Sequence, residues 1–168
     1  MIKFRWYVDS QKEQDWLNEM SKKGWALKSF FLGFYKFEKC EPGEYIYQID
    51  LLPEGKSKQE YFEFMEETGV EIVDRWFYWV YLCKKASEGP FELYSDNESL
   101  KLHYESIVKF FKPFMYLELI AALLQVPGIC GGSYLNIFSF ILLIILFLGF
   151  LTTIKSFEKR IDSIDKDI

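Results

Sequence analysis

Trp16-Leu17-Asn18-Glu19-Met20-Ser21-Lys22-Lys23-Gly24 has a counterpart 45 residues later in Tyr61-Phe62-Glu63-Phe64-Met65-Glu66-Glu67-Thr68-Gly69. In each, the first, second and fifth residues (Trp16, Leu17, Met20; Tyr61, Phe62, Met65) form the apolar stripe of a helix, and the glycine stops it. Ser10 with Glu13, and Ser57 with Glu60, have the spacing of capping boxes at the two starts. The offset continues beyond the helices, because Phe31, Phe34 and Phe37 stand 45 residues before Trp76, Trp79 and Leu82.

Alternating residues flank both helices. Phe4, Trp6 and Val8 predict a strand before the first helix, and Tyr45, Tyr47 and Ile49 predict one before the second. Segments 25–30 and 34–39 follow the first helix as strands, and 70–73 and 76–83 follow the second. The expected fold class is therefore α+β: a duplicated β-α-β-β, ferredoxin-like domain with one sheet of about six strands and two helices on one face. The run Arg75-Trp76-Phe77-Tyr78-Trp79-Val80-Tyr81 puts aromatics on both faces of a strand, so both faces of that sheet should be covered.

The composition divides the 168 residues in two, which the mean hydropathy of -0.04 conceals. Residues 1–112 carry 16 Lys+Arg and 20 Asp+Glu, whereas Pro113 to Ile154 has a single charge, Glu118. Tyr134 to Ile154 is 21 residues without charge, about 30 Å of helix and the depth of a bilayer core. A first apolar run, from Ile107 to Val126, reaches span length if Lys109 and Lys112 extend to headgroups. The expectation is an α-helical transmembrane hairpin. The domains are then 1–85, the cytoplasmic α+β domain; 86–97, a linker; 98–126, a juxtamembrane helix running into transmembrane helix 1; 127–133, an extracytoplasmic turn; 134–154, transmembrane helix 2; and 155–168, a tail. Lys109, Lys112, Lys155, Lys159 and Arg160 flank the two runs, so the positive-inside rule predicts a two-span protein of the cell membrane with both termini cytoplasmic.

Several chemistries are excluded by what is present. A net charge of -5 argues against direct nucleic-acid binding. Cys40, Cys83 and Cys130 do not make a disulfide framework, and the single histidine, His103, does not make a metal site. No phosphate-cradling glycine loop or nucleophile motif is found, so no cofactor and no catalytic residue are assigned. Glu63, Glu66, Glu67 and Glu71 read as a solvated face. Asp9 and Asp50 each end a strand that leads toward a helix, where a turn or cap explains them and a paired-carboxylate site is the alternative. Glu118 is the polar residue at membrane depth, costly there unless protonated or paired. Trp76 and Trp79 are the candidate binding aromatics, and Asp96 with Ser99 the cap of the next helix.

Asp9, Glu13-Gln14-Asp15-Trp16-Leu17-Asn18-Glu19-Met20, Gly24-Trp25, Tyr35-Lys36-Phe37, Tyr45-Ile46-Tyr47-Gln48-Ile49-Asp50 and Tyr94-Ser95-Asp96 together resemble the bacterial domain of unknown function 2812 family. The resemblance covers about residues 1–105. It implies no activity or catalytic residues, frequent hydrophobic C-terminal helices, and a PadR-like transcriptional regulator as partner. It also makes Tyr94 and Asp96 a candidate functional surface. The expected function is a membrane-anchored cytoplasmic sensor or adaptor that binds a regulatory protein or small ligand without catalysis. The alternative is a membrane enzyme or transport-associated subunit using Glu118 or the Asp9/Asp50 carboxylates. The lipid bilayer, another membrane protein and a second copy of the chain complete the expected partners.

Overall fold

The computed structural model describes residues 1–52 and 58–166. The chain forms two compact units, Met1–Ser95 and Asp96–Ile168. In the first, the order is β1 (Ile2–Phe4), α1 (Ser10–Lys22), β2 (Trp25–Phe31), β3 (Phe34–Lys39), β4 (Tyr45–Leu51), α2 (Lys58–Glu67), β5 (Glu71–Trp76) and β6 (Trp79–Lys85). The β-α-β-β order thus occurs twice.

The single ferredoxin-like sheet is not formed. There are two separate antiparallel three-stranded sheets, in the orders β1-β3-β2 and β4-β6-β5. Both strands that could have joined them are irregular. The β2 register skips between Leu27 and Ser29, and the β5 register skips between Ile72 and Asp74, at positions again 45 apart. A bulge bends its strand and increases the local twist, which ends the regular hydrogen-bond row needed to extend a sheet. The sheets meet through side chains instead. The Phe30 N–H donates to Asp74 Oδ2 at 2.7 Å, and the Phe30 ring lies 5.8 Å from that of Trp76 and 4.8 Å from that of Tyr81.

The helices do not share one face either. One core gathers Trp16, Leu17 and Met20 of α1 with Leu27, Tyr35, Phe37, Tyr47, Ile49, Tyr81 and Cys83. A second gathers Tyr61 and Met65 of α2 with Val70, Val80, Leu82 and Phe91. Alternate residues of β6 point into different cores, so the second sheet is covered on both faces. The outward face of the first sheet is not: Phe4, Phe31 and Phe34 are exposed there.

α1 also closes the outer edge of β4. Asn18 Nδ2 donates to the Tyr47 carbonyl at 2.9 Å, and Asn18 Oδ1 accepts from the Tyr47 N–H at 2.8 Å. One turn earlier Gln14 Oε1 accepts from the Ile49 N–H at 3.0 Å; one turn later Ser21 Oγ donates to the Tyr45 carbonyl at 2.6 Å. Residues 14, 18 and 21 share a helix face, and residues 45, 47 and 49 present their backbone on the same side of a strand. The helix therefore serves β4 as a neighbouring strand would. The expected capping box of α1 is replaced by Asp9, whose Oδ1 accepts from the Gln11 N–H at 3.0 Å, while Glu13 turns inward. Ser57 of the second expected box lies outside the described residues.

The second unit holds α3 (Asn97–Leu123), α4 (Val126–Cys130) and α5 (Tyr134–Lys166). α3 and α5 run antiparallel, with ring contacts Tyr104–Phe157 at 5.5 Å and Phe111–Phe150 at 5.7 Å and an ion pair Lys101–Asp165 at 2.6 Å. Residues 127–130 of the expected turn belong to the short helix α4. Among the described residues only α5 is long and apolar enough to cross a membrane, with a mean hydropathy of 2.8 over its best 18-residue stretch. The two-helix transmembrane hairpin is thereby corrected. Residues 106–123, the last 18 of α3, carry Lys109, Lys112 and Glu118, and three charges in one span are too costly. The two-span topology, and the placement of both termini on the cytoplasmic side that depended on it, fall with that helix.

Candidate binding surface

Among the described residues, two of the buried carboxylates in the first unit, Glu13 and Asp50, are held by phenols. Glu13, 8% exposed, accepts from Tyr35 Oη at 2.6 Å and from Tyr81 Oη at 2.7 Å, both on Oε1. α1 supplies the acid, β3 one phenol and β6 the other, so a single carboxylate joins the helix to both sheets. Burial raises the Glu13 pKa, and the two phenol bonds offset part of that rise. Burial, reinforced by the adjacent carboxylate, keeps Tyr35 and Tyr81 protonated well beyond the ordinary phenol range. Asp50 of β4 is the other acid. Its Oδ2 accepts from Tyr61 Oη at 2.7 Å and its Oδ1 from Tyr94 Oη at 2.9 Å. Both tyrosines are likewise shifted upward by burial first and by Asp50 second. In both clusters the phenols are held as donors and the carboxylates are enclosed in aromatic cores.

The residues expected to bind are placed as follows. Trp76 and Trp79 are half-buried against the α1 core, and Trp76 meets the Phe30 ring. Tyr94 is tied to Asp50. Asp96 begins the second unit as the N-cap of α3, its Oδ1 accepting from the Ser99 N–H at 2.8 Å and its Oδ2 from the Ser99 hydroxyl at 2.6 Å; the hydroxyl bond first, and the backbone bond second, lower its pKa. Asp9 caps α1 and Asp50 holds two phenols, so the two carboxylates serve different partners. Glu118 Oε2 on α3 is buried with no hydrogen-bond partner among the described residues. No group of three or more metal-ligating side chains occurs among those residues. Cys40, Cys83 and Cys130 are all free thiols; Cys83 is buried, with its thiol pushed up to about 12 by that burial.

The surface that does face outward was not singled out from the sequence. Phe4 is 61% exposed, Trp6 66% and Phe31 64%, with Leu32 and Phe34 also exposed, on and beside the first sheet; Phe77, 70% exposed, stands at the β5–β6 turn of the second sheet. The Phe4 and Phe34 rings lie 4.9 Å apart, in the directly opposed pair of β1 and β3. The two strand-to-strand tips stand out by their backbone. Leu32 has φ 45° and Phe77 φ 60°, the two non-glycine residues in the left-handed region among the described residues, and they are equivalent under the 45-residue offset. Each such residue costs on the order of 1–3 kcal/mol. Gly33 follows Leu32 at φ 81°, and a Cβ there would come within 2.8 Å of the Arg5 carbonyl oxygen. The bend before Leu32 thus needs a glycine after it, yet carries a large apolar residue at its own tip. The signal was present in the sequence as large apolar residues 45 apart, Leu32 and Phe77; Leu32 lies between the expected strands 25–30 and 34–39, whereas Phe77 falls inside the expected strand 76–83.

The family described as "Protein of unknown function (DUF2812)" matches residues 9–116, well over half of the chain. No curated protein and no solved structure matches it.

Proposed function

The chain belongs to the DUF2812 family, and we propose that it is a membrane-anchored binding protein whose first unit docks a regulatory protein. The observation that carries this reading is the aromatic surface of the first sheet: Phe4, Trp6 and Phe31 are each more than 60% exposed, with Phe34 against Phe4, and Phe77 is equally exposed at the turn of the second sheet. Contiguous exposed aromatics mark interaction surfaces, and strained turns that hold them outward are kept where the contact repays the strain. A PadR-like regulator, implied by the family resemblance, is the first partner to seek. The anchor is α5, whose most apolar 18 residues are only 11% buried. Two carboxylates held by phenols support a rigid platform rather than a catalytic centre.

The experiment is affinity capture of the full-length protein from native membranes, comparing wild type with Trp6→Ala/Phe31→Ala. A regulator captured by wild type and lost from the double variant supports docking at this surface. Equal capture by both overturns it. Glu118→Gln should leave capture unchanged; loss of function with that variant alone would instead favour an enzymatic or transport role for the buried carboxyl.

A further inference from the structure

Among the described residues, the outer edge of β1 lacks the closure that α1 gives β4. In the β1–β3 ladder, Met1 exchanges both backbone bonds with Phe37, and the Arg5 N–H donates to the Gly33 carbonyl at 2.9 Å. Alternation along the strand then turns the N–H and C=O groups of Ile2 and Phe4 away from the sheet. On α2, the positions equivalent to Gln14 and Asn18 are Gln59 and Glu63. Their side chains bond each other, Gln59 Nε2 donating to Glu63 Oε1 at 3.1 Å, instead of reaching a strand edge.

The side chains around that edge have a definite chemistry. Ile2 and Phe4 point to the outward face, exposed, beside Phe34 and the exposed Lys36, which is paired with Ile2. Lys3 and Arg5 alternate with them on the other face, Arg5 lying 4.9 Å over the Trp16 ring. The edge is basic in a chain of net charge -5. A second copy added antiparallel at β1 would set Lys3 against Lys3 or Arg5 of its twin, and like charges opposed across strands are destabilising.

We propose that β1 is a strand-addition site, and that its occupant is an extended segment of another protein with apolar residues on one face and carboxylates on the other. Backbone bonds to Ile2 and Phe4 supply the affinity. The carboxylates meet Lys3 and Arg5, and the apolar side chains lie against Phe4 and Phe34. This rests on the docking reading above and names the form its partner presents.

The test joins the probe strand Val-Glu-Val-Glu-Val to Met1 of the full-length protein through a flexible Gly/Ser linker of about twelve residues, which holds it near the edge at roughly millimolar effective concentration. Amide exchange is then followed by NMR in detergent micelles. The expected result is slowing at Ile2 and Phe4 of at least tenfold against the untethered chain, with a Val-Lys-Val-Lys-Val tether giving less than twofold. Phe4→Pro, which removes an outward donor and spares the bonds to β3, should abolish the slowing at Ile2. Equal slowing with both tethers, or none with either, overturns the proposal. So does slowing in the untethered chain that grows with its own concentration, which assigns the edge to a second copy, or slowing on adding anionic lipid vesicles, which assigns it to a membrane surface. Regulator capture that survives a tether shown to occupy the edge removes strand addition while leaving the docking reading intact.

Discussion

β4 and β1 begin the two β-α-β-β halves of the same unit, yet their outer edges are treated in opposite ways. β4 is closed by Gln14, Asn18 and Ser21 of α1, whereas β1 presents Ile2 and Phe4 outward. The same residue type at the same offset, Gln14 and Gln59, stitches a strand in one half and bonds its own helix in the other. Repetition of a chain pattern thus does not repeat the contacts. α1 was committed to joining the halves, and one edge was left over.

The largest effect should come from opening the closed edge. Asn18→Ala strands the N–H and C=O of buried Tyr47, a cost of about 2–4 kcal/mol. Gln59→Ala on the exposed side of α2 should cost at most about 0.5 kcal/mol. Denaturant unfolding of the two variants measures the contrast directly, and similar losses would show that α1 and α2 are not used differently.

Glu13 offers a second, pH-dependent handle on α1. Its folded pKa is raised, so its contribution to stability is fully present below the ordinary carboxyl value of 4.5 and is lost as pH rises through the raised one. Stability should therefore fall with rising pH across that window. Glu13→Gln keeps a carbonyl oxygen that can accept both phenols and should flatten the fall, which thermal melts between pH 4 and 8 would reveal. A slope that survives the substitution assigns the titration to another group.

The smallest expected effects lie at the paired tips. Leu32→Gly and Phe77→Gly should each relieve left-handed strain and change stability by no more than about 1 kcal/mol, in the stabilising direction. Each should nevertheless weaken regulator capture, since the exposed side chain is gone. Destabilisation at one tip alone would break the equivalence of the halves.

Much of this was legible in advance, for physical reasons that also mark the limits. Trp16, Leu17, Met20 and their counterparts 45 residues on announced two helices because burial repeats with the helix turn. Glu13 was read as a cap because its spacing from Ser10 is right; only the distant Tyr35 and Tyr81 make it an interior acid. Gln14 and Asn18 look like solvated helix residues until a strand edge lies beneath them. The division into two sheets rests on bulges beside Leu27 and Ile72, where the residue types give no warning. α3 fell short because its apolar run was read without charging the span for Lys109, Lys112 and Glu118 together.

The stitch along β4 also has a geometry of tapering lengths. From Gln14 to Ser21 a helix advances about 10.5 Å, while four strand residues advance about 13 Å. The two rows fall out of step by about one atom layer per rung, and the side chains shorten in order from glutamine through asparagine to serine as α1 closes on the strand. A helix can imitate a strand only over such a short ramp. Exchanging asparagine for glutamine at residue 18, conservative by chemistry, would put the wrong step in the staircase.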